Sequence, residues 1–202
     1  MVENKKINLV AQNPKSTVVT EFTPSKKRAE HYQSEAELEK EFIKQLETQA
    51  YEYLKITSEE DLKLNLKKQL EKLNEYEFSD KEWKYFFNKE IANPNQSITE
   101  KTTTIQEDHI KILKKDDGTI KNIYLIDKKN IHNNNLQVIN QYATEDGQRS
   151  NRYDVTVLVN GLPLIHIELK KRGVAIQEAF NQINRYQRES FWASSGLFEY
   201  VQ

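Results

Sequence analysis

The chain has 202 residues and nearly balanced charge, 31 Asp and Glu against 30 Lys and Arg, for a formal net charge of −1 at pH 7. That balance is not the electrostatic footprint of an independent nucleic-acid binder, and the lack of cysteine excludes disulfides and thiolate metal sites. The length suits one domain, or a domain with an appendage, and nothing near Met1 resembles a signal sequence or membrane span, so a cytoplasmic protein with no membrane partner is expected.

Residues 1–33 are polar, contain Pro14 and Pro24 and show no sustained period, which predicts an N-terminal arm or loosely packed lead-in. Residues 34–202 read as the folded domain, helical over about 34–93 and sheet-containing over about 105–202. Ser34 with Glu37 forms a capping box before Leu38, Phe42, Ile43 and Leu46, one apolar helical face. Ser58 caps a second helix with Leu62, Leu66, Leu70 and Leu73. Ser79 and Glu82 open a third, bearing Trp83, Phe86, Phe87 and Ile91, and Asn93-Pro94 closes it. These stripes are plain core.

From Ile105 the pattern changes to strands: Ile110 to Leu113, then Ile120 to Ile126, with Asp116-Asp117-Gly118 as the turn of a hairpin. After the polar run Asn130 to Asn135, Leu136 to Tyr142 is a third strand, followed by a loop with Gly147 and a second hairpin. Its arms are Asn151 to Val159 and Leu162 to Lys170. Beyond Lys170 a helix carries Ile176, Phe180 and Ile183 inward, with Gln182 and Tyr186 one turn apart on its polar edge. The last apolar run, Leu197 to Gln202, looks like an element cut short or about to enter a strand.

The second hairpin holds the informative residues. Side chains alternate along a strand, so Glu168 and Lys170 share a face. A two-residue loop of Asn160-Gly161 would set Val159 opposite Leu162 and put Asp154 on the wrong side. A three-residue loop, Val159-Asn160-Gly161 with Gly161 left-handed, shifts the register by one. Val155, Val157, Ile165, Ile167 and Leu169 then form one apolar face, and Asp154, Thr156, His166, Glu168 and Lys170 share the other. Two carboxylates and one ammonium are what it takes to hold a divalent metal and a water. On spacing alone an internal ion pair stays open as the alternative. Acid-x-lysine triplets also occur at Asp61-Leu62-Lys63, Glu82-Trp83-Lys84 and Asp127-Lys128-Lys129. The first two fall in predicted helices, where residues two apart do not face each other, so they read as solvated charges.

Around this core, Arg152-Tyr153-Asp154-Val155, Asn160-Gly161-Leu162-Pro163-Leu164, Glu168-Leu169-Lys170 and Gln182-Ile183-Asn184-Arg185-Tyr186 resemble the N-terminal nuclease domain of the type I restriction endonuclease R subunit, of the PD-(D/E)xK family. The likeness covers roughly Asn135 to Gln202, and more weakly Glu35 to Gln49. Tyr153 departs from it, since many relatives have proline before the aspartate. The resemblance implies an α/β fold with a mixed central sheet flanked by helices, in a restriction-endonuclease-like core. It implies the nuclease part of a type I site-specific deoxyribonuclease, cutting double-stranded DNA without reading sequence itself. An ATP-driven translocase domain is expected to follow; no Gly-x-x-x-x-Gly-Lys-[Ser/Thr] loop occurs here, so ATP is not expected to bind this chain in that way. The modification and specificity subunits are the expected partners.

In such a site Asp154 and Glu168, with the backbone carbonyl of Leu169, hold Mg²⁺ through oxygen ligands, and Lys170 orients or deprotonates a water and stabilises charge. Gln182 and Tyr186 match the Q-x-x-x-Y element as supporting or DNA-backbone contacts. Glu39 is the candidate acid from the first capped helix, with Glu37 and Glu41 as rivals. His166 shares the active face, although a lone histidine is more often a hydrogen-bonded strand residue. Lys171, Arg172, Arg185 and Arg188 are candidates for phosphate contact, with solvated charge as the alternative. A different reading is a catalytically silent domain that keeps the nuclease fold and docks the R subunit onto its partner subunits.

Overall fold

Ser34, Ser58, Ser79 and Ser97 each accept a hydrogen bond from the backbone N–H three residues on, and each opens a helix. An N-cap oxygen satisfies one of the donors that a helix start leaves open. The first three caps agree with the sequence pattern. The fourth, a capping box of Ser97 and Glu100, starts a helix where the periodicity predicts none. A computed structural model of the chain describes residues 7–12, 18–22, 34–146, 149–171, 174–186 and 196–201.

Its helices are α1 (Glu35–Thr48), α2 (Glu59–Asn74), α3 (Asp80–Phe86), α4 (Ile98–Gln106) and α5 (Ile176–Tyr186). A π-helical turn, Phe87–Ile91, continues α3, and Leu197–Tyr200 is a 3-10 turn rather than a strand. The strands are β1 (Ile7–Gln12), β2 (Val18–Phe22), β3 (Glu52–Tyr53), β4 (Ile110–Lys114), β5 (Ile120–Tyr124), β6 (Leu136–Asp146), β7 (Arg149–Val159) and β8 (Leu162–Ile167). Within the expected irregular arm, β1 and β2 form an antiparallel ladder. The predicted loop residue Gly147 lies outside the described residues.

The central sheet has the order β3-β6-β7-β8 and is mixed: β3 runs parallel to β6, and the other neighbours are antiparallel. The predicted β4–β5 hairpin forms, but as a separate two-stranded sheet. On one face of the central sheet, Ile43 and Leu46 of α1 pack against Val138, Val155 and Val157, with Ile167 and Leu169 at the margin. The other face joins the larger core, where Leu66 and Leu70 of α2 meet Ile139, Leu158 and Leu162. Each fully buried aliphatic side chain contributes about 1.5–3 kcal/mol. The expected α/β architecture, a mixed sheet between helices, is therefore present.

The β7–β8 turn differs from the expected three-residue loop. Asn160 and Gly161 have φ of +50° and +83°, a two-residue turn, and Val159 pairs with Leu162. The register then slips between Val157 and Leu158, so that Val157 pairs with Ile165 and Thr156 with His166. One extra residue in β8, a β-bulge, thus delivers the register that the apolar pattern demands. Pro163 sits beside the slip in the edge strand, where its missing N–H costs no ladder bond. Ile165, expected on the apolar face, is 50% exposed at that edge.

The turn also carries the sheet onto α2. A Cβ at Gly161 would lie 2.6 Å from the Leu66 Cα, in a backbone conformation that side chains rarely adopt. Gly161→Ala is expected to cost about 2 kcal/mol or more, from the left-handed backbone and the overpacking together. Thermal unfolding checks this; a melting temperature within a degree of wild type would contradict the close approach.

Candidate active site

Asp154 from β7 and Glu168 and Lys170 just beyond β8 line one cleft of about 660 Å³. The backbone N–H of Leu169 donates to Asp154 Oδ2 at 3.0 Å, which ties the end of β8 to the aspartate. Lys170 Nζ donates to Glu168 Oε1 at 3.0 Å, and His166 Nε2 lies 3.3 Å from Glu168 Oε2. The three residues singled out in the sequence are thus brought together, but not by parity alone: Val155 packs on the α1 side and Tyr153 in the larger core, so alternation does not carry Asp154 onto the face of Thr156 as expected.

Their charges pull in different directions. Burial is the largest influence on Asp154 and pushes its carboxyl up; the Leu169 N–H opposes this and the neighbouring Glu168 charge adds to it. Burial would raise Glu168 too, but hydrogen bonds from His166 and Lys170, with the Lys170 charge, hold it below the usual carboxylate range. For Lys170 burial is opposed and outweighed by Glu168, Glu35 and Asp154, so its ammonium is held above the usual lysine value. Asp154 is the strained member of the set.

The remaining candidates separate by position. Tyr186 is buried, its hydroxyl donates to the Arg152 carbonyl at 2.9 Å, and Gln182 Nε2 donates to that hydroxyl. It therefore fastens α5 to the strand two residues before Asp154. His166 packs edge-on against Tyr153 and Tyr186. Arg185 lines the cleft with its guanidinium 5.3 Å from the Tyr186 ring centre. Lys171 is exposed beside an adjoining cleft, and its N–H donates to Glu35 Oε1 at 3.3 Å. Arg172 and Arg188 lie outside the described residues.

Among the acids of α1, Glu39 lines the cleft, Glu37 is engaged in the capping box and Glu41 is exposed. The Glu39 carboxylate accepts the side-chain amides of Asn140 and Gln141. Sequence reasoning missed Glu35, Gln141 and Arg152, which also line the cleft. Glu35 was findable, because it sits four residues before Glu39 on the same helix face. The triplet Glu82-Trp83-Lys84 corrects the expectation of solvated charge. Glu82 is buried and accepts from Ser79, Asp116 and Tyr76.

The sequence profile of the family described as "Type I restriction enzyme R protein N terminus" matches residues 32–202. The chain belongs to this family. It is similar to the type I restriction enzyme EcoprrI endonuclease subunit of Escherichia coli, 46% identical over 194 residues, 96% of this chain and 62% of that protein. It is also similar to the SsaAORF53P endonuclease subunit of Staphylococcus saprophyticus and the SauMSSORF170P endonuclease subunit of Staphylococcus aureus. Each is 38% identical over 176 residues, 85% of this chain and 18% of that protein. The chain thus spans less than two thirds of the length of these relatives.

In this member of the R-protein family the donor set at the cleft suits a hard divalent cation. Asp154 and Glu168 offer only oxygens, and their mutual repulsion is relieved by positive charge between them. Among the described residues no three His, Cys, Asp or Glu side chains gather at metal-binding spacing. Glu39 is committed to two amides, so a third protein ligand would come from the backbone, as expected of the Leu169 carbonyl. No helix of the described residues is long and apolar enough to cross a membrane.

Because the Asp154 carboxyl is raised by folding, its ionisation opposes the folded state. That penalty is absent below the ordinary carboxylate range and is fully present above the folded pKa. Without divalent cations, Asp154→Asn is therefore expected to melt with wild type at pH 3 and at an equal or higher temperature at pH 7. A clear loss of melting temperature at pH 7 alone would reverse the sign of this account.

Proposed function

We propose that this domain is a Mg²⁺-dependent endonuclease of the PD-(D/E)xK type, hydrolysing phosphodiesters of double-stranded DNA without reading sequence itself. It would act within the R subunit of a type I restriction-modification enzyme, assembled with modification and specificity subunits. The observation that carries this reading is the convergence of Asp154, Glu168 and Lys170 in one cleft, with the two carboxylates in electrostatic conflict.

Asp154, Glu168 and the Leu169 carbonyl are the groups that would hold the cation. When bound, Mg²⁺ supplies positive charge for the pentavalent phosphorus and lowers the pKa of an attacking water. Lys170, held above its usual range, is an ammonium at neutral pH. Its part is to orient the water and stabilise developing charge, not to accept a proton. Glu168, held below its usual range, stays ionised to pair with it. Tyr186 and Gln182 keep α5 in place against β7, and Arg185 faces the cleft with its Nε buried and lacking an acceptor among the described residues. A phosphate oxygen would supply one.

Glu35, Glu39, Asp154 and Glu168 outnumber Arg152, Lys170 and Arg185 in the cleft, so DNA is repelled until a cation arrives. Delivery by a translocating partner raises the local DNA concentration and removes the need for intrinsic affinity. A silent docking domain would gain nothing from this conflict of charges.

In a complex reconstituted with modification and specificity subunits, Asp154→Ala, Glu168→Ala and Lys170→Ala are each expected to lower DNA cleavage by about 100-fold or more, with ATP-driven translocation kept. A variant cutting near the wild-type rate loses its assigned role, and three such variants would leave the docking reading standing. The 202-residue chain alone is expected to bind double-stranded DNA with a Kd above about 1 μM at physiological salt. Sub-micromolar binding in a filter or anisotropy assay would show a self-sufficient domain instead.

A further inference from the structure

Gln141 sits inside β6 with φ +54°, a left-handed conformation that residues other than glycine, asparagine and aspartate rarely adopt. The disturbance is local. Asn140 pairs with Val155 and Tyr142 with Tyr153, so the register is the same on both sides, while Gln141 and Asp154 face each other between these pairs and do not enter the ladder. No residue is inserted, unlike the bulge in β8.

The side chains record the consequence. Val138 packs toward α1, yet Tyr142, of the same parity, is buried in the larger core; Val155 and Tyr153 of β7 differ in the same way. Alternation is reversed in both strands across the Gln141 and Asp154 positions. Asn140 and Gln141, consecutive residues, both send their amides to Glu39 on α1. A continuous ladder would keep Asp154 on the face of Thr156, away from α1. With the reversal it lines a cleft that it shares with Glu35 and Glu39.

We propose that Gln141 is a positioning residue for the nuclease reaction: its left-handed backbone, clamped through its amide by Glu39, interrupts the β6–β7 ladder opposite Asp154 and so turns the Asp154 carboxylate to the α1 side of the sheet, into the cleft it shares with Glu35, Glu39, Glu168 and Lys170. This rests on the nuclease reading above and deepens it. Strained backbone persists only where its surroundings hold it, and two charge-assisted hydrogen bonds to one buried carboxylate are such a hold. Valine, β-branched and unsuited to positive φ, would restore a regular strand, whereas glycine takes the left-handed conformation without cost.

The test uses the reconstituted complex with Gln141→Val, Gln141→Gly and, as a control on the chemistry, Lys170→Ala. Gln141→Val is expected to lower the cleavage rate at saturating DNA by roughly 30-fold or more, with the half-saturating DNA concentration within about twofold. Its melting temperature should equal or exceed wild type, and the backbone amides at positions 141 and 154 should exchange about tenfold more slowly than in wild type as the ladder closes. Gln141→Gly should cut within about threefold of wild type. A valine variant that cuts normally while Lys170→Ala is inactive overturns the inference alone. So does a glycine variant as impaired as valine, or a valine variant that loses rate and melting temperature together. If Lys170→Ala cuts normally, the nuclease reading itself falls.

Discussion

Side chains on a strand alternate with a period of two, so a two-residue turn at Asn160 and Gly161 and a single apolar face across β7 and β8 cannot both exist unless one strand carries an odd residue. The extra residue in β8 resolves this. Below it, Val159 and Leu162 close the turn that lets Gly161 approach Leu66. Above it, Val155 and Ile167 are paired, with the apolar side chains of this part of the hairpin turned to α1, and the Leu169 N–H reaches the Asp154 carboxylate. One bulge therefore serves packing at one end of the hairpin and chemistry at the other. Removing it would slip every side chain of one strand to the opposite face.

The site at the upper end is held together by groups that do not all gain from being there. Lys170 and Glu168 stabilise each other, and the His166 contact with Glu168 adds to that pair. Asp154 is pushed toward its neutral form by burial and by Glu168, with one backbone N–H opposing. Folding energy spent at this position comes from elsewhere, from α1 on one face and the α2 and α5 packing on the other. A conflict between two partly buried carboxylates is what a divalent cation relieves, and a surface chosen for stability alone would not contain it.

Much of this is legible in the sequence. The Ser-x-x-Glu caps at Ser34 and Ser79 fix two helix starts, and the apolar parity of Val155, Val157 and Ile167 fixes the face of the hairpin. The turn itself is not legible, because an inserted residue can sit in the loop or in the strand with the same effect on parity. The helix that Ser97 opens is hidden because Thr102, Thr103 and Thr104 give α4 no apolar stripe. The β1–β2 ladder is hidden by its polar flanks. Gln141 carries no signal at all, for glutamine has no preference for positive φ and its conformation follows from Glu39, 102 residues away in the chain.

The claim on which the rest turns is that Asp154 and Glu168 are gathered for a divalent cation. Calorimetric titration of the 202-residue chain with Mg²⁺, beside its Asp154→Ala and Glu168→Ala variants, measures it directly. The account predicts saturable binding at one site in the wild type that is lost in both variants. Equal binding in all three proteins, or none in the wild type, would contradict it.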